Sequence, residues 1–316
     1  MADFYMHRML IGQLQETFGS NPESTIGAQG PDYFYYVQGA DKPRAQHFGN
    51  IIHKSKTKAF LVSLLQSAID HQSEAMLHYT YGFLSHHALD ISIHPYIFYY
   101  TGLYQEEDPT THAWAGLHLQ FERKVDIAFM KHQLSIQPHR HKLYLKTLPL
   151  KALTQDIITV IDEAVEYTFG ETHAGTLFAK GYQTMRKVGR FLVYDPLKLK
   201  RKLIGLFESY QKPKSTYFQD LSHAQNTDDF DYLNLSQTPW HHPVTNASLD
   251  DSVLDIYEKA LNLSHTFIQA AKDSYHKKNT DGLANVLTNA SYDTGIDCDT
   301  EQFMRHFLDY RNQLKP

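Results

Sequence analysis

Apolar side chains recur at intervals of three and four along most of this chain, the spacing that lines one face of an α-helix, and no alternating strand pattern persists. The pattern predicts helices over about 5–17, 55–71, 72–94, 109–132, 151–169, 173–194, 197–210, 249–275, 279–290 and 299–313, and therefore an all-α, multi-helix fold. Thr154 can cap a helix whose inward face is Ile157, Ile158, Ile161 and Val165, with Gly170 closing it, and Pro196 stops the next one. Ser248 followed three residues later by Asp251 resembles a capping box ahead of Val253, Ile256, Tyr257 and Ala260. Two long irregular connecting segments interrupt the pattern. One, over about 18–54, is too aromatic to read as disordered; the other, about 211–247, is rich in Asp, Asn, Ser, Thr and Pro. The expected organisation is a helical domain over 1–210, a linker or lid over 211–248, and C-terminal helices over 249–316 packed on the same domain.

One helical stripe changes character along its length. Ala75, Tyr79, Gly82 and Phe83 lead directly into His86, Asp90 and His94, so three ionisable groups continue an inward-facing apolar line. Buried, unpaired charge is costly, and these groups need partners. At a rise of about 1.5 Å per residue, Asp90 lies about 6 Å along the axis from each histidine, while the two histidines are about 12 Å apart. One metal ion cannot use both, so the stripe reads as two neighbouring metal sites or as none. A second helix places His118 and Glu122 one turn apart, with Trp114, Leu117 and Phe121 on or beside the same face. Facing pairs on two helices can build a multinuclear centre. His86 and Asp90 would then share one ion, His94 would join His118 and Glu122 on another, and the second oxygen of Asp90 could reach a third. The bland alternative is a set of surface pairs or satisfied core hydrogen bonds.

Composition narrows the ligand chemistry. Cys298 is the single cysteine, which excludes an internal disulfide and cysteine-based zinc sites, so any metal must be held by His, Asp and Glu. Twenty histidines make imidazole abundant. A formal net charge of -5 gives no reason to expect a stable nucleic-acid partner. The first residues do not read as a secretory signal, and no apolar run is long enough to span a bilayer; a cytoplasmic protein without a transmembrane segment is the expectation, with peripheral membrane contact allowed.

The stretch Y-G-F-L-S-H-H-A-L-D-I-S-I-H-P, followed by G-L-H-L-Q-F-E-R-K-V-D, resembles the core signature of the zinc-dependent phospholipase C family, whose wider superfamily includes single-strand-specific zinc nucleases. The resemblance covers roughly residues 1–130 and, weakly, the helices to about 200. It implies an all-helical bundle around two or three zinc ions, although other divalent metals suit the same donors. It implies ligands in the order His7, His47, His86, Asp90, His94, His118 and Glu122: His47, His86 and Asp90 on one zinc, His94, His118 and Glu122 on a second, and His7 with Asp90 on a third. Asp32, in G-P-D-Y, is implied as the catalytic carboxylate that orients or deprotonates water, with a direct metal role as the alternative. In the secreted enzymes of the family the processed amino terminus completes the third site; here that role would fall to the amine of Ala2 after removal of Met1. The implied activity is metal-dependent hydrolysis of a phosphodiester or phospholipid. The competing readings are a single-strand nuclease-like phosphodiesterase and a non-catalytic metal-binding protein of the same fold.

The remaining candidates read more plainly. Arg186, Lys187, Arg190, Lys198, Lys200, Arg201 and Lys202 could meet phosphate or an anionic membrane, but a solvated helix face accounts for them. His132, His139 and His141 read as surface groups, and His53, His78, His87, His112 and His173 are individually uninformative. Tyr33, Phe34, Tyr35 and Tyr36 can wall a site or simply pack in the core.

Overall fold

The computed structural model describes residues 4–149, 153–210, 219, 222–224 and 228–314. Its α-helices, in chain order, are α1 (Phe4–Phe18), α2 (Pro22–Gly27), α3 (Lys42–Lys54), α4 (Thr57–Asp70), α5 (Glu74–Thr101), α6 (Leu117–Leu134), α7 (Tyr144–Thr147), α8 (Gln155–Phe169), α9 (Ala174–Val188), α10 (Leu199–Ser209), α11 (Val253–Lys277) and α12 (Asp281–Val286). A 3-10 helix spans Gly30–Tyr36, and one short antiparallel pair, β1 (Trp240–His241) with β2 (Ser248–Leu249), sets Trp240 opposite Leu249. The fold is all-α, as the apolar spacing predicts.

Helix α5 is the axis of the molecule. Ser73 caps its start by accepting the Met76 N–H, Gly102 ends it at φ 66°, and nearly every side chain between is buried. A helix that is apolar on all sides must be surrounded. Helices α2, α4 and α11 pack on α5, α8 covers α4, and α9 covers α8. Helices α1 and α6 pack on each other and on α5, which brings three ionisable helical faces together.

The structure departs from the expected elements in several places: Pro109–Trp114 is a 3-10 turn ahead of α6, the capping box before α11 is Ser252 with Asp255 while Ser248 lies in β2, and three further differences bear on the site. The stretch 18–54 is largely helical, holding α2, the 3-10 helix and α3. Asn21 accepts the Glu23 N–H with Pro22 just inside α2, and Pro43 opens α3, so local capping starts elements too short to show a clear apolar period. Helix α5 continues through Pro95 to Thr101 instead of stopping at 94. Over 299–313 only a 3-10 turn, Tyr310–Gln313, forms. There the Arg305 and His306 amides donate to the Pro243 carbonyl and the Leu308 amide to Tyr99, so the backbone bonds run to other segments instead of within a helix. Of the expected linker or lid, residues 211–218, 220–221 and 225–227 lie outside the described residues. Its later part packs into the bundle: Phe230 and Tyr232 meet Phe121 edge to face, and Lys124 pairs with Asp228 at 2.7 Å.

Candidate metal centre

Eight ionisable side chains from five elements converge beside the middle of α5. His7 comes from α1, Asp32 from the 3-10 helix, His53 from the last turn of α3, His86, Asp90 and His94 from α5, and His118 and Glu122 from α6. Their ligand atoms fall into three groups, each within 4.8 Å: His7, His86 and Asp90; Asp32, His53 and His86; and His94, His118 and Glu122. All are buried except His118, which is partly exposed. Asp90 is the link. Its Oδ1 lies 3.2 Å from His7 Nε2 and 3.7 Å from His94 Nε2, and its Oδ2 lies 3.0 Å from His86 Nε2 and 4.0 Å from His53 Nε2. Glu122 Oε1 stands 3.3 Å from His94 Nε2 and 3.1 Å from His118 Nε2. Asp32 Oδ1 is 3.5 Å from His53 Nε2 and 3.9 Å from His86 Nε2.

The far side of three imidazoles fixes what the near side can offer. His53 Nδ1 donates to the Gly49 carbonyl at 2.7 Å, His86 Nδ1 to Ala28 at 3.2 Å, and His94 Nδ1 to Tyr292 at 2.9 Å. A carbonyl only accepts, so each Nδ1 carries a proton and each Nε2 is turned inward, as a lone pair in the neutral form of the ring. Those lone pairs face carboxylate oxygens in a dry interior. His53 Nε2, His86 Nε2, His94 Nε2, Asp32 Oδ1 and both oxygens of Asp90 have no directional hydrogen-bond partner. Lone pair against carboxylate is repulsive unless a proton or a metal cation stands between them. The spacing suits one: donors on a tetrahedral ion at about 2.1 Å lie about 3.4 Å apart.

The protonation balance agrees. Burial alone would raise the Asp90 carboxyl, but His86, His94 and His7 around it hold it well below the usual carboxylate range. Glu122 likewise sits well below its ordinary value, because His118 and His94 outweigh burial. Burial, aided by His86, lowers His7, and burial lowers His118. For His86, Asp90 and Asp32 overcome burial and draw the imidazole upward. Two ionised carboxylates thus sit among imidazoles of which His7 and His118 are pushed down and His86 is drawn up, and carboxylate with imidazole is a donor set that fits a divalent cation.

His47 does not join the cluster. It lies on the outer face of α3, half exposed, with Nε2 2.6 Å from Glu171 Oε1. The buried face of α3 is Ala45, Phe48, Gly49, Ile52 and His53, so the helix turns His53 inward where the sequence pointed to His47. His87 is buried against Tyr292 and Phe267 and packs away from the centre; burial pushes its imidazole down to about 3. Tyr33 and Phe34 belong to the core against Phe178.

Two further features have no signal in the local sequence. Gly30, at φ +50°, lies against the His86 ring, where an added Cβ would stand 2.1 Å from its Cδ2. The segment after α12 wraps the centre from outside: the Tyr292 amide donates to the His53 carbonyl at 2.9 Å, the Tyr292 carbonyl receives His94, and the Tyr292 ring packs on His53 and His86. Beside it Asp293, lowered by Lys54, His53 and His94 against the effect of burial, pairs with Lys54 at 3.3 Å. Both borders of the centre are therefore set by backbone carbonyls and amides, whose positions depend on tertiary structure.

On α6, one turn beyond Glu122, Asp126 accepts the Met6 N–H at 2.9 Å and the Tyr5 N–H at 3.3 Å, fixing the first turn of α1 that carries His7. His223 donates Nε2–H to Asp126 at 2.9 Å, while its Nδ1 accepts from Arg123 at 2.9 Å.

Fold and site together define an all-helical bundle with buried histidine–carboxylate clusters able to hold metal ions. The family model for zinc dependent phospholipase C matches residues 6–171, just over half of the chain, and the chain belongs to that family. No curated protein and no solved structure matches it significantly. Among the described residues no helix is long and apolar enough to cross a membrane.

Proposed function

We propose that this chain is a zinc-dependent phosphodiester hydrolase that cleaves a phospholipid headgroup linkage. The observation that supports the reading is the convergence of His53, His86 and His94, whose Nδ1 atoms are held by backbone carbonyls, so that three Nε2 atoms face carboxylates at distances that suit a shared divalent cation. His86 has one inward lone pair, so it serves one ion. The assignment is Asp32, His53 and His86 with Asp90 Oδ2 on the first zinc, His94, His118 and Glu122 on the second, and His7 with Asp90 Oδ1 on the third.

Bound zinc supplies Lewis acidity, withdrawing charge from a phosphodiester and making hydroxide available near neutral pH. The chain supplies the rest. Asp32 orients the attacking water and takes its proton as oxygen bonds to phosphorus; the P–O bond to the alcohol breaks, and the alkoxide takes a proton from solvent. The second site has three protein donors, one fewer than a closed structural site, and His118 reaches solvent, which favours catalysis over a purely structural role. An opening of about 220 Å³ lined by Lys54, Asp293, Thr294 and Gln302 lies beside the Tyr292 segment, with the Lys54–Asp293 pair at its edge.

The test is headgroup release from phosphatidylcholine micelles followed by phosphorus NMR, before and after chelation and zinc readdition. Release that stops on chelation and returns with zinc is expected. Zinc-loaded, folded protein that leaves phospholipid intact contradicts the reading, and cleavage of single-stranded nucleic acid in its place would move it to the nuclease class.

A further inference from the structure

Helix α10 faces the wrong way for a helix of a water-soluble bundle. Leu199, Leu203, Leu206, Phe207 and Tyr210 fall at i, i+4, i+7, i+8 and i+11, a single apolar stripe. That stripe points to solvent: Leu203 is 67% exposed, Phe207 64% and Tyr210 80%. The attachments lie elsewhere on the helix. The Arg201 amide donates to Asp195 Oδ2 at 2.9 Å, Lys200 Nζ to the Tyr194 carbonyl at 2.9 Å, and Glu208, the one buried side chain of the helix, accepts the Gln219 amide at 3.2 Å. The polar side is tied down and the apolar side is presented.

The surface continues beyond the helix. Phe191 and Leu197 are also exposed, and a shallow groove of about 490 Å³ runs between Val188 and Phe191 on one side and Leu203 and Phe207 on the other. Exposed apolar patches of this kind mark interaction sites. Its rim is basic: Lys187, Arg190 and Lys202 are exposed, and Lys200 reaches over the Phe191 ring at 5.3 Å. This local positive charge stands on a chain whose net charge is -5.

We infer that α10 and the adjoining Phe191 turn form the surface through which the enzyme docks on an anionic lipid membrane. A basic-rimmed apolar stripe matches the headgroup and acyl layers of a bilayer, with aromatic and leucine side chains entering and lysines staying at the phosphates. A second copy fits worse, because a two-fold contact through this patch would set its basic rim against itself. The inference deepens the lipid reading of the metal centre and rests on it for its purpose, which is to bring the protein to the bilayer that holds its substrate.

The test is flotation of the full-length, zinc-loaded protein with vesicles of phosphatidylcholine, with and without phosphatidylserine. The wild-type chain should float with the phosphatidylserine vesicles, less so in high salt. The double variant Leu203→Ser/Phe207→Ser, whose sites are already solvent-exposed, should lose about 10-fold or more of that partitioning while keeping its melting temperature and zinc content. Lys187→Glu/Lys202→Glu should lose the preference for phosphatidylserine. Equal flotation of wild type and both variants overturns the inference, as does a wild type that never floats and instead forms a dimer that Leu203→Ser/Phe207→Ser dissolves. Cleavage of a soluble short-chain phospholipid separates the two claims: its failure alongside normal flotation removes the hydrolase reading, whereas unchanged cleavage with lost flotation in the variants supports docking.

Discussion

The main-chain carbonyl of Tyr292 accepts the Nδ1 proton of His94 at 2.9 Å, joining the C-terminal segment to the central helix across 198 residues of chain. That bond holds the ring so that Nε2 faces Glu122. Gly295 keeps the segment in place, since it adopts φ +68° and an added Cβ would stand 2.6 Å from the Ile91 carbonyl. Gly295→Val should therefore lift Tyr292 off His94 and weaken zinc binding about 10- to 100-fold, the usual effect of losing a group that orients a ligand. Competition with a chromophoric chelator reads the affinity; an unchanged value means the segment is decoration.

Substitutions of His47 and His53 should part company. His53→Ala removes an inward donor and should cost about 100-fold or more in affinity at one zinc. His47→Ala removes a half-exposed partner of Glu171 and should leave zinc content and activity alone, with a stability change of about 0–1 kcal/mol. Zinc analysis of the two variants side by side decides between the helix face seen here and the order of histidines along the sequence.

Gly30→Ala places a methyl group where the His86 ring lies and asks an L-residue to hold φ +50°. A cost of about 1–3 kcal/mol in unfolding free energy is expected. Zinc affinity should fall with it, because the ring can relieve the clash only by turning Nε2 away from Asp90. Denaturant melts with and without chelator separate the two losses.

His223 sets a pH dependence away from the metal ligands. Burial, reinforced by Arg123, holds its imidazole well below the ordinary 6.5 in the folded protein. The unfolded chain therefore takes up this proton first as pH falls. Stability is complete above about pH 6.5 and declines below it towards the folded value. In His223→Gln the curve of unfolding free energy against pH, measured in chelator for both proteins, should be flatter on the acid side. An equal slope would mean that His223 takes up its proton at the same pH in the folded and the unfolded chain.

Much of this was readable from residue spacing, and the failures have identifiable causes. The interval of four that aligns His86, Asp90 and His94, and that pairs His118 with Glu122, survives intact because a long continuous helix imposes its period on any side chain it carries. His53 was hidden because α3 went unread. Once a helix begins at Pro43, the stripe Ala45, Phe48, Gly49 and Ile52 takes in His53 and excludes His47. The Tyr292 contact had no local signal, since a backbone carbonyl reached over 198 residues leaves no mark in spacing. The basic run around residues 186–202 is legible as charge that could meet phosphate or an anionic membrane, with a solvated helix face as the plainer account, and spacing alone does not separate the two. What distinguishes it is that the apolar stripe of α10 points outward, and only the packing reveals that.

The central claim is that the cluster around Asp90 holds divalent cations, and zinc content per chain tests it most directly. Protein dialysed against buffered zinc and then measured by elemental analysis should carry two to three equivalents. Asp90→Ala, which removes both shared oxygens, should lose the ion shared with His7 and weaken the one held by Asp32, His53 and His86, while the ion held by His94, His118 and Glu122 stays. Less than one equivalent in folded wild-type protein, or equal content in wild type and Asp90→Ala, would contradict the account.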